Sequence, residues 1–199
     1  MRTRLHPLAQ LTWLIFAVSA AVACSNAHQA AEPAAPANSH ADSSTAQPSV
    51  GSLADAGPDR KTRVPDPDAV AISLTNITVN RQGDHDQAVF AFTGTSIPGW
   101  DVHYVDRAVQ NGTGQILPIE GQSLIEVLIR ETPGPFGTAE KYTGPSAVPG
   151  QDTTNINAVH YSAAGRGMTQ AFISLNKPES AFTVSALSNP TRIVVDVAG

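Results

Sequence analysis

The chain has 199 residues, a formal net charge of −5 from 12 Lys and Arg against 17 Asp and Glu, and one cysteine. A diffusely acidic chain is poorly suited to nucleic acid or to electrostatic attraction by anionic lipid. A lone cysteine excludes an intramolecular disulfide and a cysteine metal site, so an exported domain built from this chain must rely on its core.

The chain opens with Arg2 and Arg4, followed by an apolar run from Leu11 to Ala23. That run has the length of a signal-peptide core and is too short to span a bilayer as a helix. Small residues close it, Ala21-Val22-Ala23, directly before Cys24. The pattern resembles the bacterial lipobox, where a diacylglycerol joins the cysteine sulfur and the leader is cut just before it. Residues 1–23 are therefore expected to be a lipoprotein signal peptide, and Cys24 is expected to carry lipid, with palmitate among its acyl chains. Loss of the leader would leave ten basic residues against seventeen acids. Anchoring would come from acyl burial, about 0.8 kcal/mol per methylene, and not from surface charge.

Residues 24–68 hold the lipidated cysteine and a stretch rich in Ala, Pro and Ser, with no aromatic residue. Such a segment cannot bury enough surface to offset its conformational entropy, which predicts a disordered tether. From Ala69 the composition changes, and residues 69–199 are expected to form one domain. Ile72 and Leu74 share a strand face, and Ile77 and Val79 resume it after a one-residue phase shift, which predicts a bulge at Thr75-Asn76. The run Ala88-Val-Phe-Ala-Phe92 is apolar on both sides, as in a strand covered on both faces. In the next strand Trp100, Val102 and Tyr104 point inward and Asp101 and His103 outward. Ile125, Val127 and Ile129 give the next apolar face. Further strands are expected around Ile156–Tyr161, Thr169–Leu175, Phe182–Val184 and Arg192–Val197. Turn signals separate these runs, among them Asn111-Gly112-Thr113-Gly114, read as a hairpin tip. No segment has helical spacing over a helix length. The fold class is all-β, a single β-sandwich domain. The exception to the rhythm is a long Gly- and Pro-rich stretch at 131–152, in which Phe136 and Tyr142 suggest packing.

Two stretches carry a family resemblance. Phe182-Thr-Val-Ser-Ala-Leu187 followed by Pro190-Thr-Arg-Ile-Val-Val-Asp-Val197 resembles the closing strands of AMIN and AMIN-like domains. Gly83-Asp-His-Asp-Gln-Ala-Val-Phe-Ala-Phe92, Pro98-Gly-Trp-Asp-Val-His-Tyr-Val105 and Pro133-Gly-Pro-Phe-Gly-Thr-Ala139 resemble the AMIN-like variant found in exported lipoproteins of actinobacteria. Gln87 stands where the family usually has an arginine. The resemblance implies a small β-sandwich outside the cytoplasm, similar to modules that hold other proteins at the cell wall.

Catalysis and metal binding find little support. Asp84-His85-Asp86 is the densest polar cluster, but it sits at a turn and lacks a ligand-spacing pattern, so no metal is expected. His103 and His160 with Ser96, Ser162 or Ser174 would be needed for a hydrolase, and none of these serines lies in a catalytic motif. Arg192 and Asp196 share a strand face and are read as partners of neighbouring strands. Aromatic side chains suit sugar-ring stacking, and Trp100, Phe136 and Tyr142, with Lys141, are the candidate ligand contacts.

The expectation is a non-enzymatic, lipid-anchored module outside the cytoplasm that binds cell-wall glycan or an envelope protein, without a cofactor and without nucleic acid. Its expected tie to the membrane is the lipid on Cys24. Carriage of a lipid or small apolar molecule is the alternative, and a cryptic hydrolase ranks behind it.

Overall fold

The computed structural model describes Leu53, residues 56–130, 142–165 and 167–199, all within the unit Ala46–Gly199. Ten strands run in chain order: β1 Lys61–Arg63, β2 Leu74–Gln82, β3 His85–Phe92, β4 Trp100–Val105, β5 Ser123–Arg130, β6 Ala147–Pro149, β7 Ile156–Gly165, β8 Met168–Leu175, β9 Phe182–Leu187 and β10 Arg192–Ala198. No α-helix occurs among the described residues. The strands form a six-stranded sheet in the order β1-β4-β5-β8-β7-β6 and a four-stranded sheet in the order β2-β3-β10-β9, every pair antiparallel.

The two inner faces share one core. Phe90, Phe182, Ile193 and Val195 of the smaller sheet pack in a single cluster with Val102, Ile125, Val127 and Ile173 of the larger one, all fully buried. Period-two patterning produces this directly, because successive side chains leave a strand on opposite faces. Each large aliphatic or aromatic side chain so buried contributes roughly 1.5–3 kcal/mol. The register of β2 on β3 shifts between Leu74 and Asn76, where the sequence skips a phase, so Leu74 and Ile77 both reach the core.

Three elements depart from expectation. β3 is covered on one face: Ala88, Phe90 and Phe92 are buried, whereas Val89 and Ala91 on the outer face are half-buried. Asp101 was expected to face water and is instead buried, because Arg60 reaches over it and donates from Nε to Oδ1 at 2.7 Å and from Nη2 to Oδ2. The ordered sheet also starts before Ala69. β1 pairs with β4, and Gly57 bridges Phe182 at the start of β9, so one short segment spans the adjacent edges of both sheets. Lys61 Nζ lies 5.3 Å from the Phe182 ring centroid, and the Arg63 guanidinium 5.5 Å from that of Trp100.

β10 coincides with the strand expected at Arg192–Val197 and lies inside the smaller sheet, between β3 and β9. Val194 and Asp196 on its outer face are buried along with Ile193, Val195 and Val197 on its inner face.

Candidate functional site

Residues 106–122 connect β4 to β5 and help to build a concave surface. Val109 and Ile116 face each other across an antiparallel bridge, and the Gly114 N–H donates to the Gln110 carbonyl, which closes the hairpin around Asn111-Gly112-Thr113-Gly114. Gly112 and Gly114 have φ of 86° and 70°, values at which a Cβ is strained. The hairpin is pinned to the outer face of the larger sheet by one fully buried side chain. Gln170 on β8 donates to the Val109 carbonyl at 2.9 Å and accepts from the Asn111 N–H at 2.9 Å and the Ser162 hydroxyl at 3.1 Å. A buried amide persists only when its hydrogen bonds are met, and here they fix a loop.

Under the hairpin, Ala108, Leu124 and Phe172 make a second apolar cluster, with Val105, Leu117 and Ile119 against it. Beside this cluster, where β4 ends, β5 begins and the β8–β9 turn passes, opens a cleft of about 650 Å³. Its apolar wall is Val105, Ile116, Leu117 and Leu124, and Asp106, Arg107, Glu120 and Glu179 carry its charges. Tyr104 borders it, but its hydroxyl is taken: it donates to the Ser180 carbonyl and accepts from the Ser180 N–H, both at 2.8 Å. Burial pushes the Tyr104 phenol pKa up.

A row of polar groups crosses the same sheet's outer face. Asp101 lies against Arg60, whose hydrogen bond holds the carboxyl below its ordinary range. His103 stands between two carboxylates, with Nδ1 3.2 Å from Asp101 Oδ1 and Nε2 3.5 Å from Glu126 Oε2. Glu126 accepts from Gln170 Nε2 at 2.6 Å, which joins this row to the hairpin. His103 thus has a carboxylate near each ring nitrogen, while its buried Nδ1 makes no hydrogen bond among the described residues. His160 Nε2 is 3.3 Å from Ser174 Oγ, but that hydroxyl is fully buried and inaccessible to a substrate. Burial also depresses the His160 pKa. Neither histidine forms the cleft of acid, base and serine that hydrolysis requires.

The Asp84-His85-Asp86 cluster divides between the two sides of β3. Asp84 is exposed and contacts His85 Nδ1 at 3.0 Å. Asp86 points inward, fully buried, and its Oδ2 accepts the N–H groups of Thr154, Asn155 and Ile156 at 2.9, 2.6 and 2.9 Å, while Arg81 Nη1 lies 3.1 Å from Oδ1. The carboxylate ties the start of β7 to β3. Among the described residues no three or more His, Cys, Asp or Glu side chains are grouped to hold a metal ion. Asp196 is likewise structural in its contacts, accepting from Gln87 Nε2 at 2.7 Å across the β3–β10 pair.

A family model, the AMIN-like domain, matches residues 72–199. The chain belongs to the AMIN-like domain family. AMIN-like domains are generally non-catalytic binding modules, typically outside the cytoplasm and associated with the cell envelope. Neither a curated protein nor a solved structure matches the chain. Of the candidate contacts, Phe136 and Lys141 lie outside the described residues. Trp100 of the AMIN-like domain is 8% exposed and part of the main core. Tyr142 is half-buried, its ring centroid 4.8 Å from that of Tyr161, and burial raises the pKa of both phenols. The cleft was not anticipated from the sequence. Its signal is the aliphatic run Ile116, Leu117 and Ile119 just after the Asn111–Gly114 turn.

Proposed function

We propose that this AMIN-like domain is a lipid-anchored binding module that acts from the outer face of the cell membrane and engages an envelope protein through the cleft at 106–122. The observation that carries the site is a preformed cleft of about 650 Å³ whose overlying hairpin is fixed by a buried glutamine. A rigid concave surface with an aliphatic wall and charged rim suits a protein segment, because most of the ordering cost is met before binding. The cleft lies beside the sandwich and not between its sheets, which favours a docking role over carriage of a lipid inside the core. Cys24 supplies the anchor in this reading, and the stretch to about residue 55 supplies reach.

A wall-glycan ligand is the second reading, and the half-buried Tyr142–Tyr161 pair favours it. One experiment separates the two. The mature chain without its lipid, residues 25–199, is sedimented with isolated envelopes before and after digestion of wall glycan or of protein. Protein partnership predicts co-sedimentation that protease treatment of the envelopes abolishes and that Ile116→Asp weakens. Co-sedimentation lost on glycan digestion and weakened by Tyr142→Ala instead would replace the protein reading with the glycan one.

A further inference from the structure

Resting on the reading of the cleft as a protein-docking site, we infer that its occupant is a basic, aliphatic peptide segment. Two observations converge. The rim is acidic: Asp106, Glu120 and Glu179 line the cleft against a single cation, Arg107, and all four are exposed. The hairpin beside it presents Ile116 and Val109, 58% and 37% exposed, and as bridge partners they lie on the same side. Only Val64 and Val70 are more open or comparably open among the large apolar side chains described, and neither lines the cleft.

An aliphatic patch flanked by carboxylates that form no ion pair among the described residues rewards a ligand that offers apolar side chains to the patch and ammonium or guanidinium groups to the rim. An acidic ligand meets repulsion from three charges. Charge complementarity of this kind sets partner choice and association rate more than total affinity. The Gln170 bonds hold patch and rim in fixed relation, so the recognition geometry exists before the partner arrives.

The test uses the full chain in nonionic detergent and two fluorescent hexapeptides, one alternating lysine with leucine and one alternating glutamate with leucine, followed by anisotropy. The lysine peptide is expected to bind, and the glutamate peptide to bind at least about tenfold more weakly. The double variant Glu120→Lys, Glu179→Lys is expected to weaken the lysine peptide by about tenfold or more, and raising the salt should weaken the parent in the same direction. Ile116→Ser should weaken it as well, with circular dichroism unchanged. If both peptides bind the parent equally and only Ile116→Ser matters, the basic character of the ligand is overturned while the docking reading stands. If the lysine peptide binds parent, charge-reversed and Ile116→Ser proteins alike, the cleft is not its site and this inference fails, whatever the sedimentation result.

Discussion

Asp86 shows how one side chain positions a strand. Its Oδ2 accepts three successive N–H groups at the start of β7. Asp86→Ala would leave those donors buried and unmet, at a cost of about 3–5 kcal/mol. Urea denaturation should show a lowered midpoint with an unchanged slope. His160 gives a pH signature of the opposite sign to a salt-bridged histidine. Its folded pKa is depressed by burial below the ordinary 6.5, so the unfolded chain takes up the proton first as pH falls. Stability from this group is therefore complete above about pH 6.5 and declines below it. His160→Gln should flatten the thermal midpoint between about pH 6.5 and 5. A parent whose midpoint rises over that interval would contradict the assignment. Asp101 acts in a separate window. Its depressed pKa adds stability above the ordinary 3.8 that is lost as pH falls further, and Arg60→Ala should remove that acid-side dependence.

Among the elements, β10 and the 57–63 segment make the strongest contrast. β10 is central and buried on both faces, so Val195→Asp places an unpaired carboxylate in the core, which costs several kcal/mol of a total near 5–15. That variant should fail to accumulate folded, as judged by the soluble yield and circular dichroism. The 57–63 segment lies at an edge, yet it joins the outer strands of both sheets. A chain beginning at Val64 should melt several degrees below one beginning at Leu53, measured by calorimetry. Equal midpoints would mean that the edge pairing contributes nothing. These two elements also show what was legible in the sequence. β10 follows the Ser188-Asn-Pro190 turn signal and carries Ile193, Val195 and Val197 on one face and Val194 between Arg192 and Asp196 on the other, so its strand and its burial on both faces follow from the sequence. β1 is three residues long and contains no apolar residue, so neither period nor composition marks it. Its place depends on Asp101 and Trp100, which meet Arg60 and Arg63 only in three dimensions. The cleft was hidden for a related reason. Gln170 reads as one polar residue in an apolar strand, and its partners Val109 and Asn111 lie about sixty residues away, at separations of 61 and 59. Of the aromatic candidates among the described residues, Trp100 packs in the main core and Tyr142 lies against Tyr161, and neither lines the cleft.

At the scale of the whole molecule, we propose that lipid on Cys24 anchors an AMIN-like sandwich whose cleft has an acidic rim. Cys24→Ala should yield an uncut or soluble chain that no longer partitions into detergent, and partitioning equal to the parent would remove the anchor from the account. The docking claim is tested most directly in cells. A photoreactive amino acid is placed at Ile116, on the hairpin, and in a second strain at Thr78, exposed on the outer face of the smaller sheet. After irradiation, the account predicts a discrete covalent adduct to an envelope protein from position 116 and none from position 78. No adduct at 116, or the same adducts from both positions, would contradict it.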